Sequence, residues 1–459
     1  MKTSFMTMDT YFEKHKKQII EDYSKLLSFQ SISAETGYLE ECKACASWIE
    51  QQFKKIGFTT SQWGEGFPPT VFGTYQADSK LPTLLIYNHY DVQPVDPIDL
   101  WESDPFTATI TGDKIVARGA EDNKGQFFYM LTALRALYEK YKGFPCSIKV
   151  LVEGEEESGS AHLANLLLQH KKEIKADYAM IVDLGMRSRT KPAITIGTRG
   201  LLGLTVEVTG TREDLHSGSH GGLAYNPLHA LVGMLAKARN EDGSIAIPGF
   251  YEGLQIPSQD LLDSIASFFD SLDYEKTHGA PPTGGEKNLP PIQRNWLRPT
   301  LEVNGVHGGY GGPGSKTVIP SQAFAKITCR LVPGQDPKAV AQRIKEFFES
   351  NTPKGVTSKV KIHEGLGVAV RTDPSSPCIQ ALARAMKEVF KTDAEFILEG
   401  ASIPIVPDLA KASGADVVMW GVGLATDKIH APNEEFDFSR MEKGFQVAFR
   451  TIELLRGSI

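Results

Sequence analysis

Five segments of the sequence lead from an apolar run to side chains that can bind a metal ion. They are LLIYNHYD (His89 and Asp91), IVARGAEDNKG (Asp122), KVLVEGEEES (Glu155 to Glu157), YAMIVD (Asp183) and VVMWGVGLATDKIH (His430). Ligands of open α/β sheets bind beyond the carboxyl ends of the strands. Each of these residues alone has an ordinary structural explanation, such as a helix cap for Asp122. The five segments together predict one polar site at the end of a sheet.

The residue types at these positions favour a divalent cation. Two histidines with several carboxylates suit a borderline ion such as Zn²⁺, and Mn²⁺ or Co²⁺ is also feasible. His89 and Asp91 are two residues apart, so on a continuing strand both side chains point to one side, where Asp91 can fix the tautomer of His89. Glu156 and Glu157 are adjacent and diverge on an extended backbone. One of them can bind metal while the other faces the attacking water.

The elements around these residues form two styles of sequence. Apolar strands are predicted at Thr83–Tyr87, Ser147–Val152, Tyr178–Val182 and Val417–Gly421, with helices at Lys124–Tyr141, 376–390 and 438–455. Continuous apolar strands that alternate with helices indicate an α/β sheet buried on both faces. Between about residues 200 and 371, strands such as Leu204–Val208 alternate instead, and helices begin at Pro227 and Pro337. This block predicts a small α+β domain inserted into a discontinuous first domain.

Composition excludes several classes of function. The net charge of −7 argues against non-specific nucleic-acid binding and against a polybasic membrane anchor, because both need a basic surface. The N-terminus does not read as a signal peptide, and no apolar run is long enough to span a bilayer. We therefore expect a cytoplasmic protein with neither nucleic acid nor membrane as a partner.

The five cysteines are an odd and sparse set, which is typical of reduced thiols in a cytosolic enzyme. Cys42 and Cys45 form a C-x-x-C motif, which a redox or metal site would also show. They lie inside a predicted amphipathic helix, and there is no second C-x-x-C. We interpret them as small apolar residues on the core-facing stripe.

The ordered motifs resemble those of one family. NHYDVQP, ARGAEDNKGQ, EGEEESGS, DLHSGSHGG, KTVIP with CRLVPGQDP, EGASIP and IHAPNE are similar to the motifs of the di-zinc metallopeptidases that include carnosinase and cytosolic non-specific dipeptidase. Aminoacylase, acetylornithine deacetylase and glutamate-releasing carboxypeptidases are more distant relatives. The resemblance covers about residues 15–455. It implies a zinc-exopeptidase-like catalytic domain at 1–200 and 371–459, with a central mixed, largely parallel sheet flanked by helices. The α+β domain at 201–370 would be the lid and dimerisation domain of a homodimer.

The resemblance also implies roles for individual residues in binding two divalent cations per subunit, with zinc expected. His89 and Asp183 would bind one ion, Glu157 and His430 would bind the other, and Asp122 would bridge both. Asp91 would orient His89, and Glu156 would be the general base. The Asp122–Asn123 peptide bond would be cis, and Asn123 stands where the family usually has Asp.

The inserted domain would complete the site. By the same resemblance, His216 would reach the active site of the partner subunit and stabilise the oxyanion, while Arg330 and Ser402 would bind the carboxylate end of the substrate. The alternative for His216 is an ordinary surface-loop histidine. Gly218, Gly221 and Gly222 favour the functional role, because a glycine-rich loop can approach a ligand closely.

The sequence thus predicts a metal-dependent dipeptidase or related exopeptidase acting on small peptides. An N-acyl-amino-acid deacylase needs the same metals and base and remains the close alternative. A non-catalytic binding protein on the same fold would show a lost ligand or base, and none is lost. A nucleotide-binding protein is excluded, because Ser315 separates the last glycine of GGYGGPGSK from Lys316 and breaks the phosphate-loop order. The segment 243–298 carries no strong motif.

Overall fold

The computed structural model describes residues 8–78, 80–255, 257–363, 365–400 and 405–456. The chain divides into two units. The first comprises the described residues of Met1–Ile196, Thr372–Ile397 and Asp408–Ile459, and the second those of Gly197–Arg371 and Leu398–Pro407. No helix in these described ranges has both the length and the apolar character needed to cross a bilayer.

The helices and strands follow one another in three stretches. Up to residue 198 the chain forms α1 (Met8–Leu27), α2 (Leu39–Lys55), β1 (Thr59–Trp63), β2 (Thr70–Tyr75), β3 (Thr83–His89), β4 (Thr109–Thr111), β5 (Lys114–Val116), α3 (Lys124–Tyr141), β6 (Ser147–Glu153), α4 (Leu163–Gln169), β7 (Tyr178–Val182) and β8 (Ala193–Thr198). The middle stretch forms β9 (Gly200–Thr209), β10 (Leu215–His216), α5 (Ser217–His220), α6 (Pro227–Lys237), α7 (Gln259–Ile265), α8 (Ser271–His278), α9 (Pro291–Leu297), β11 (Thr300–Gly308), β12 (Val318–Ile319), β13 (Gln322–Leu331), α10 (Pro337–Ser350), β14 (Thr357–Ile362) and β15 (Val370–Arg371). The last stretch forms α11 (Pro377–Phe390), β16 (Glu395–Glu399), α12 (Val406–Ser413), β17 (Asp416–Trp420), β18 (Glu435–Asp437) and α13 (Phe438–Leu455).

The first unit is built on a mixed sheet with the order β1-β2-β6-β3-β7-β17-β8. Neighbours from β6 to β17 run parallel, whereas β1, β2 and β8 pair antiparallel. The four parallel strands are almost entirely buried, which explains their continuous apolar runs. The predicted α/β class with a mixed, largely parallel sheet is confirmed. Strands β1 and β2 were not predicted from the sequence. In β1, buried and exposed residues do not alternate cleanly, so the pattern typical of a half-buried strand is absent.

The second unit contains an antiparallel sheet with the order β11-β13-β9-β14. Residues along β9 alternate strictly between buried and half-buried, as the LTVEV pattern predicts for a sheet with one covered face. The buried face packs with α6 and α10 into one apolar core that includes Leu204, Met234 and Ile344. In the segment without a strong motif, the chain forms the three short helices α7, α8 and α9.

Candidate metal centre

Three of the predicted ligand positions lie at the carboxyl ends of the parallel strands. His89 is the last residue of β3, and Asp183 directly follows β7. Glu156 and Glu157 begin a single 3₁₀ turn just after β6. Because these strands run parallel and are neighbours in the sheet, their ends meet at one edge.

The prediction that each ligand follows a strand of the main sheet is wrong for Asp122. This residue follows β5, which belongs to a separate three-stranded sheet with the order β18-β5-β4. Asp122 lies in the loop between β5 and α3, and the Asp122–Asn123 peptide bond is cis. His430 lies well beyond the end of β17, in a loop where its backbone has a φ of 59°. Loops therefore carry both residues to the sheet edge.

The structure brings the predicted ligands together as two groups that share Asp122. His89, Asp122 and Asp183 form one group, and Asp122, Glu157 and His430 form the other, with ligand atoms within 4.8 Å of one another in each group. Nε2 of His89 lies 3.2 Å from Oδ1 of Asp122 and 3.5 Å from Oδ1 of Asp183. Nε2 of His430 lies 2.9 Å from Oδ2 of Asp122 and 3.2 Å from Oε1 of Glu157. The two oxygens of Asp122 thus face different histidines.

The chemistry of these groups fits divalent cations. The buried Nε2 of His89 faces two carboxylates without a well-directed hydrogen bond to either. Hydrogen bonds with Asp122 and Glu157 raise the pKa of His430 to about 10. Burial would raise the pKa of Asp122, but the hydrogen bonds from the two histidines hold it well below its ordinary value. Protons on the imidazoles balance the carboxylates here, and bound divalent cations can replace those protons.

Asp91 links the end of β3 to the glutamate turn. Its Oδ1 and Oδ2 accept hydrogen bonds from the backbone nitrogens of Glu156 (3.2 Å) and Glu157 (3.0 Å). Nδ1 of His89 lies 3.1 Å from the backbone oxygen of Asp91 and 3.3 Å from its Oδ1. A proton on Nδ1 satisfies these oxygens and leaves Nε2 as the ligand atom. Asp91 therefore contacts both His89 and the turn that carries Glu156 and Glu157.

Glu156 and Glu155 occupy different surroundings. Burial raises the pKa of Glu156 to about 9, and the charges of Asp183 and Glu157 contribute in the same direction. The carboxylate of Glu155 instead contacts Nδ1 of His162 at 2.9 Å, and the ring of His162 stacks on Phe67. Of the two, Glu156 is thus the one that the ligand charges influence most directly.

Asn123 has a role that the sequence did not indicate. Its Nδ2 donates to Oδ1 of Asp183 (2.6 Å) and to the backbone oxygen of Val182 (2.8 Å). Its Oδ1 accepts a hydrogen bond from Nδ2 of Asn88 at 2.7 Å. Two acceptors on one side and a donor on the other fix the orientation of the amide. Asn123 thereby orients Asp183.

A second missed residue is Glu434, in the IHAPNE motif. Its fully buried carboxylate accepts hydrogen bonds from Arg118 and from the backbone nitrogens of Gly119, Glu121 and Asp122, all between 2.9 and 3.0 Å. These bonds hold the loop that carries Asp122. The sequence places Glu434 near the site, since it follows His430 by four residues. The spacing alone does not show which groups bind its carboxylate.

The remaining predicted residues lie in the second unit or outside the described ranges. His216 is exposed at the end of β10, where its Nδ1 accepts a hydrogen bond from the backbone nitrogen of Gly218 at 3.1 Å. The proton of a neutral imidazole then sits on Nε2, which lies 3.3 Å from Oγ1 of Thr317. Arg330 lies near the end of β13. Ser402 falls outside the described residues.

The C-x-x-C motif is structural. Cys42 and Cys45 are fully buried on α2, together with Ala46, Ile49 and Phe53, and all five cysteines are unpaired. Burial raises the pKa of the Cys42 thiol to about 12 and that of Cys45 to about 11. These thiols are unsuited to redox exchange, which requires an accessible thiolate.

Comparison with known proteins relates the chain to metallopeptidases. Residues 85–454 match the model of peptidase family M20/M25/M40. The chain is 29% identical over 469 residues to a Cys-Gly metallodipeptidase of Schizosaccharomyces pombe, covering 97% of both chains. It is 31% identical over 379 residues to the Beta-Ala-His dipeptidase of Mus musculus, covering 81% of this chain and 76% of the relative. It is also similar to the solved structure of an M20 family metallo-carboxypeptidase from Sulfolobus solfataricus, with 31% identity, a TM-score of 0.84 and coverage of 96% and 99%.

The fold and the paired donor groups define a metallopeptidase. The chain belongs to peptidase family M20/M25/M40.

Proposed function

We propose that this protein hydrolyses the amide bond of dipeptides, using two divalent cations per subunit, with zinc as the expected ion. The observation that carries the proposal is the pair of donor groups sharing Asp122. Two relatives that cover most of the chain are named for the dipeptides Cys-Gly and Beta-Ala-His. His89 and Asp183 would bind one ion, Glu157 and His430 the other, and Asp122 both.

Two bound cations would polarise the amide carbonyl and acidify a water molecule. The carboxylate of Glu156 accepts a proton from the attacking water and passes it to the leaving amine. Burial raises its pKa, and the charge of bound cations would lower it, so the carboxyl can both accept the proton and release it. Asp91 keeps the ring of His89 oriented, and Asn123 keeps the carboxylate of Asp183 oriented, through the hydrogen bonds described above.

The second unit would supply the remaining groups. We assign residues 1–200 and 371–459 to a catalytic domain and residues 201–370 to a lid and dimerisation domain of a homodimer. His216 of the partner subunit would donate its Nε2 proton to the oxyanion. Arg330 and Ser402 would bind the carboxylate end of the substrate. The unpaired, buried cysteines fit a reducing compartment, and we place the protein in the cytoplasm.

A substrate panel on metal-stripped protein reconstituted with Zn²⁺, Mn²⁺ or Co²⁺ tests the proposal. We expect dipeptides with a free carboxylate to be cleaved and N-acetyl amino acids to be turned over far more slowly. Turnover of N-acetyl amino acids above that of every dipeptide would replace the proposal with a deacylase. Wild-type turnover in the absence of any divalent ion would overturn the metal mechanism.

A further inference from the structure

Each of the two donor groups contains a carboxylate that is held by a primary amide. In the group of His89 and Asp183, the amide is that of Asn123, as described above. In the other group it is the amide of Gln93, from the NHYDVQP motif. Nε2 of Gln93 donates to Oε2 of Glu157 at 2.8 Å and to the backbone oxygen of Glu157 at 3.3 Å. One side chain therefore fixes both the carboxylate of Glu157 and the turn that carries it.

This contact leaves one oxygen of the Glu157 carboxylate available to a cation. Oε2 accepts from the amide of Gln93, whereas Oε1 lies 3.2 Å from Nε2 of His430. Because the side chain of Glu157 is only 5% exposed, water is poorly placed to replace a lost donor. Without the amide of Gln93, the carboxylate of Glu157 would be free to turn Oε1 away from His430.

A glutamine suits this position because its amide is neutral. The amide donates a hydrogen bond to the charged carboxylate of Glu157, and hydrogen bonds to charged groups are stronger than those between neutral groups. A lysine or arginine could donate as well, but its positive charge would repel a divalent cation a few ångströms away. Gln93 therefore orients Glu157 without neutralising it.

The backbone on both sides of Gln93 is fixed. The backbone nitrogen of Val92 donates to the backbone oxygen of Ser31 at 3.0 Å, and the backbone oxygen of Pro94 accepts from Nη2 of Arg118 at 3.0 Å. The side chain of Gln93 is half-buried. A side chain that starts from a fixed backbone loses less conformational entropy when it makes a contact. The amide is therefore held in place before any cation binds.

We propose that Gln93 is a positioning residue for one of the two cations, the one held by Glu157 and His430, and that it sets the affinity for this ion alone. The inference rests on the two cation positions of the proposed function. Removing an outer support of a metal ligand lowers metal affinity by about 10–100-fold. The ion between His89 and Asp183 has its own amide support, so we expect its affinity to stay at the wild-type value.

Zinc titration of single-ion variants tests this assignment. His89→Ala leaves the position at Glu157 and His430, and His430→Ala leaves the position at His89 and Asp183. We add Gln93→Met, which keeps the length of the side chain but removes the donor. It is expected to lower Zn²⁺ affinity about 10–100-fold in the first background and to leave it unchanged in the second. Calorimetric titration against a competing chelator measures both affinities, and equal changes in the two backgrounds would overturn the inference.

The two-ion protein gives a second measurement that needs no ligand substitution. In Gln93→Met alone, one of the two Zn²⁺ ions is expected to bind about 10–100-fold more weakly than in the wild type, while the other keeps its affinity. Gln76→Met is the matched control, because the amide of Gln76 donates to Oγ of Ser147 at 3.0 Å, at the start of β6 and not at its end. Equal weakening of both ions in Gln93→Met, or an effect of the same size in Gln76→Met, would contradict the assignment.

Activity separates this inference from the proposed function. If the wild type binds two ions with the stated dependence on Gln93 but cleaves no dipeptide, the proposed hydrolysis fails and the role of Gln93 stands. If the wild type cleaves dipeptides while Gln93→Met binds both ions with wild-type affinity, the proposed function stands and the role of Gln93 fails.

Discussion

Arg118 and Glu434 form an ion pair that is 1% exposed on both sides, with Nη1 and Oε2 2.9 Å apart. The pair connects three loops around the metal centre. Nη2 of Arg118 donates to the backbone oxygen of Pro94, beyond the end of β3. Glu434 accepts from the backbone nitrogen of Asp122 and itself follows His430 in the chain. One buried charge pair therefore fixes loops that carry ligands of both donor groups.

Glu434→Gln is expected to disrupt this arrangement. The amide keeps only one accepting oxygen, so two of the four donors lose their partner whichever way it turns, and the buried charge of Arg118 loses its counter-charge. Breaking a buried pair costs about 3–5 kcal/mol of unfolding free energy, and loss of an outer support lowers metal affinity roughly 10–100-fold. Urea unfolding of the metal-free protein and a Zn²⁺ titration measure the two effects.

The matched control is Glu435→Gln, whose ion pair with Lys114 is partly exposed and is expected to contribute about 0–1 kcal/mol. Equal effects of the two substitutions would contradict the assignment.

Glu156→Gln is expected to separate catalysis from metal binding. The variant keeps the five ligand side chains but cannot accept the proton, so turnover should fall by about 10²–10⁴ while the metal content stays at the wild-type value. Elemental analysis and dipeptide hydrolysis measure the two quantities on the same preparation. Glu155→Gln serves as the control, since the carboxylate of Glu155 contacts His162 and is not the predicted base. A larger loss of turnover in that variant would make Glu155 the base instead of Glu156.

The cysteines offer a prediction that concerns reactivity. Because burial raises the pKa values of Cys42 and Cys45 to about 12 and 11, almost none of either thiol is ionised at pH 8, where an ordinary cysteine is partly thiolate. Native protein should therefore resist iodoacetamide at pH 8, and protein in urea should react at both positions. Mass spectrometry of the alkylated peptides measures this, and rapid modification of the folded chain would show that α2 does not bury them.

The sequence predicted the parallel strands well, because a strand buried on both faces must be apolar along its whole length, as in β3 and β7. It predicted the positions of His89 and Asp183 for the same reason. It was wrong about Asp122, since the short strand β5 looks like a sheet strand in a window of a few residues but pairs only with β4 and β18. Which strands pair is decided by contacts distant in sequence.

The supporting residues were beyond the reach of a single sequence. Glu434 and Asn123 act through hydrogen bonds to residues 312 and 60 positions away, respectively, and no periodicity records such pairs. The segment 243–298 was opaque for a related reason: Phe269 and Tyr274 line a cavity only because β11 and β13 place Glu302 and Arg330 beside them.

Asn123→Asp tests the donor role of the Asn123 amide. An aspartate would turn an oxygen toward Oδ1 of Asp183 and the backbone oxygen of Val182, which now accept from Nδ2. Loss of these bonds is expected to cost about 1–3 kcal/mol of unfolding free energy in the metal-free protein. The introduced carboxyl would have a raised pKa beside Asp183, so the cost should be largest at pH 8 and shrink toward pH 5, where that carboxyl is protonated. Urea unfolding at both pH values measures this, and a cost independent of pH would argue against the charge repulsion.

Mixed dimers test whether His216 acts on the site of the partner subunit. In a heterodimer of His216→Ala and Glu156→Ala chains, one site then carries both lesions and the other carries neither, so random pairing leaves about a quarter of all sites intact. If His216 acts within its own chain, every site keeps one lesion and activity stays low. A mixture of Asp122→Ala and Glu156→Ala chains is the control, because both lesions lie in the first unit and no combination restores a site. We measure dipeptide hydrolysis before and after subunit exchange and follow the exchange by native mass spectrometry. Recovery of activity in the first mixture alone requires a shared site. No recovery despite complete exchange rules a shared site out.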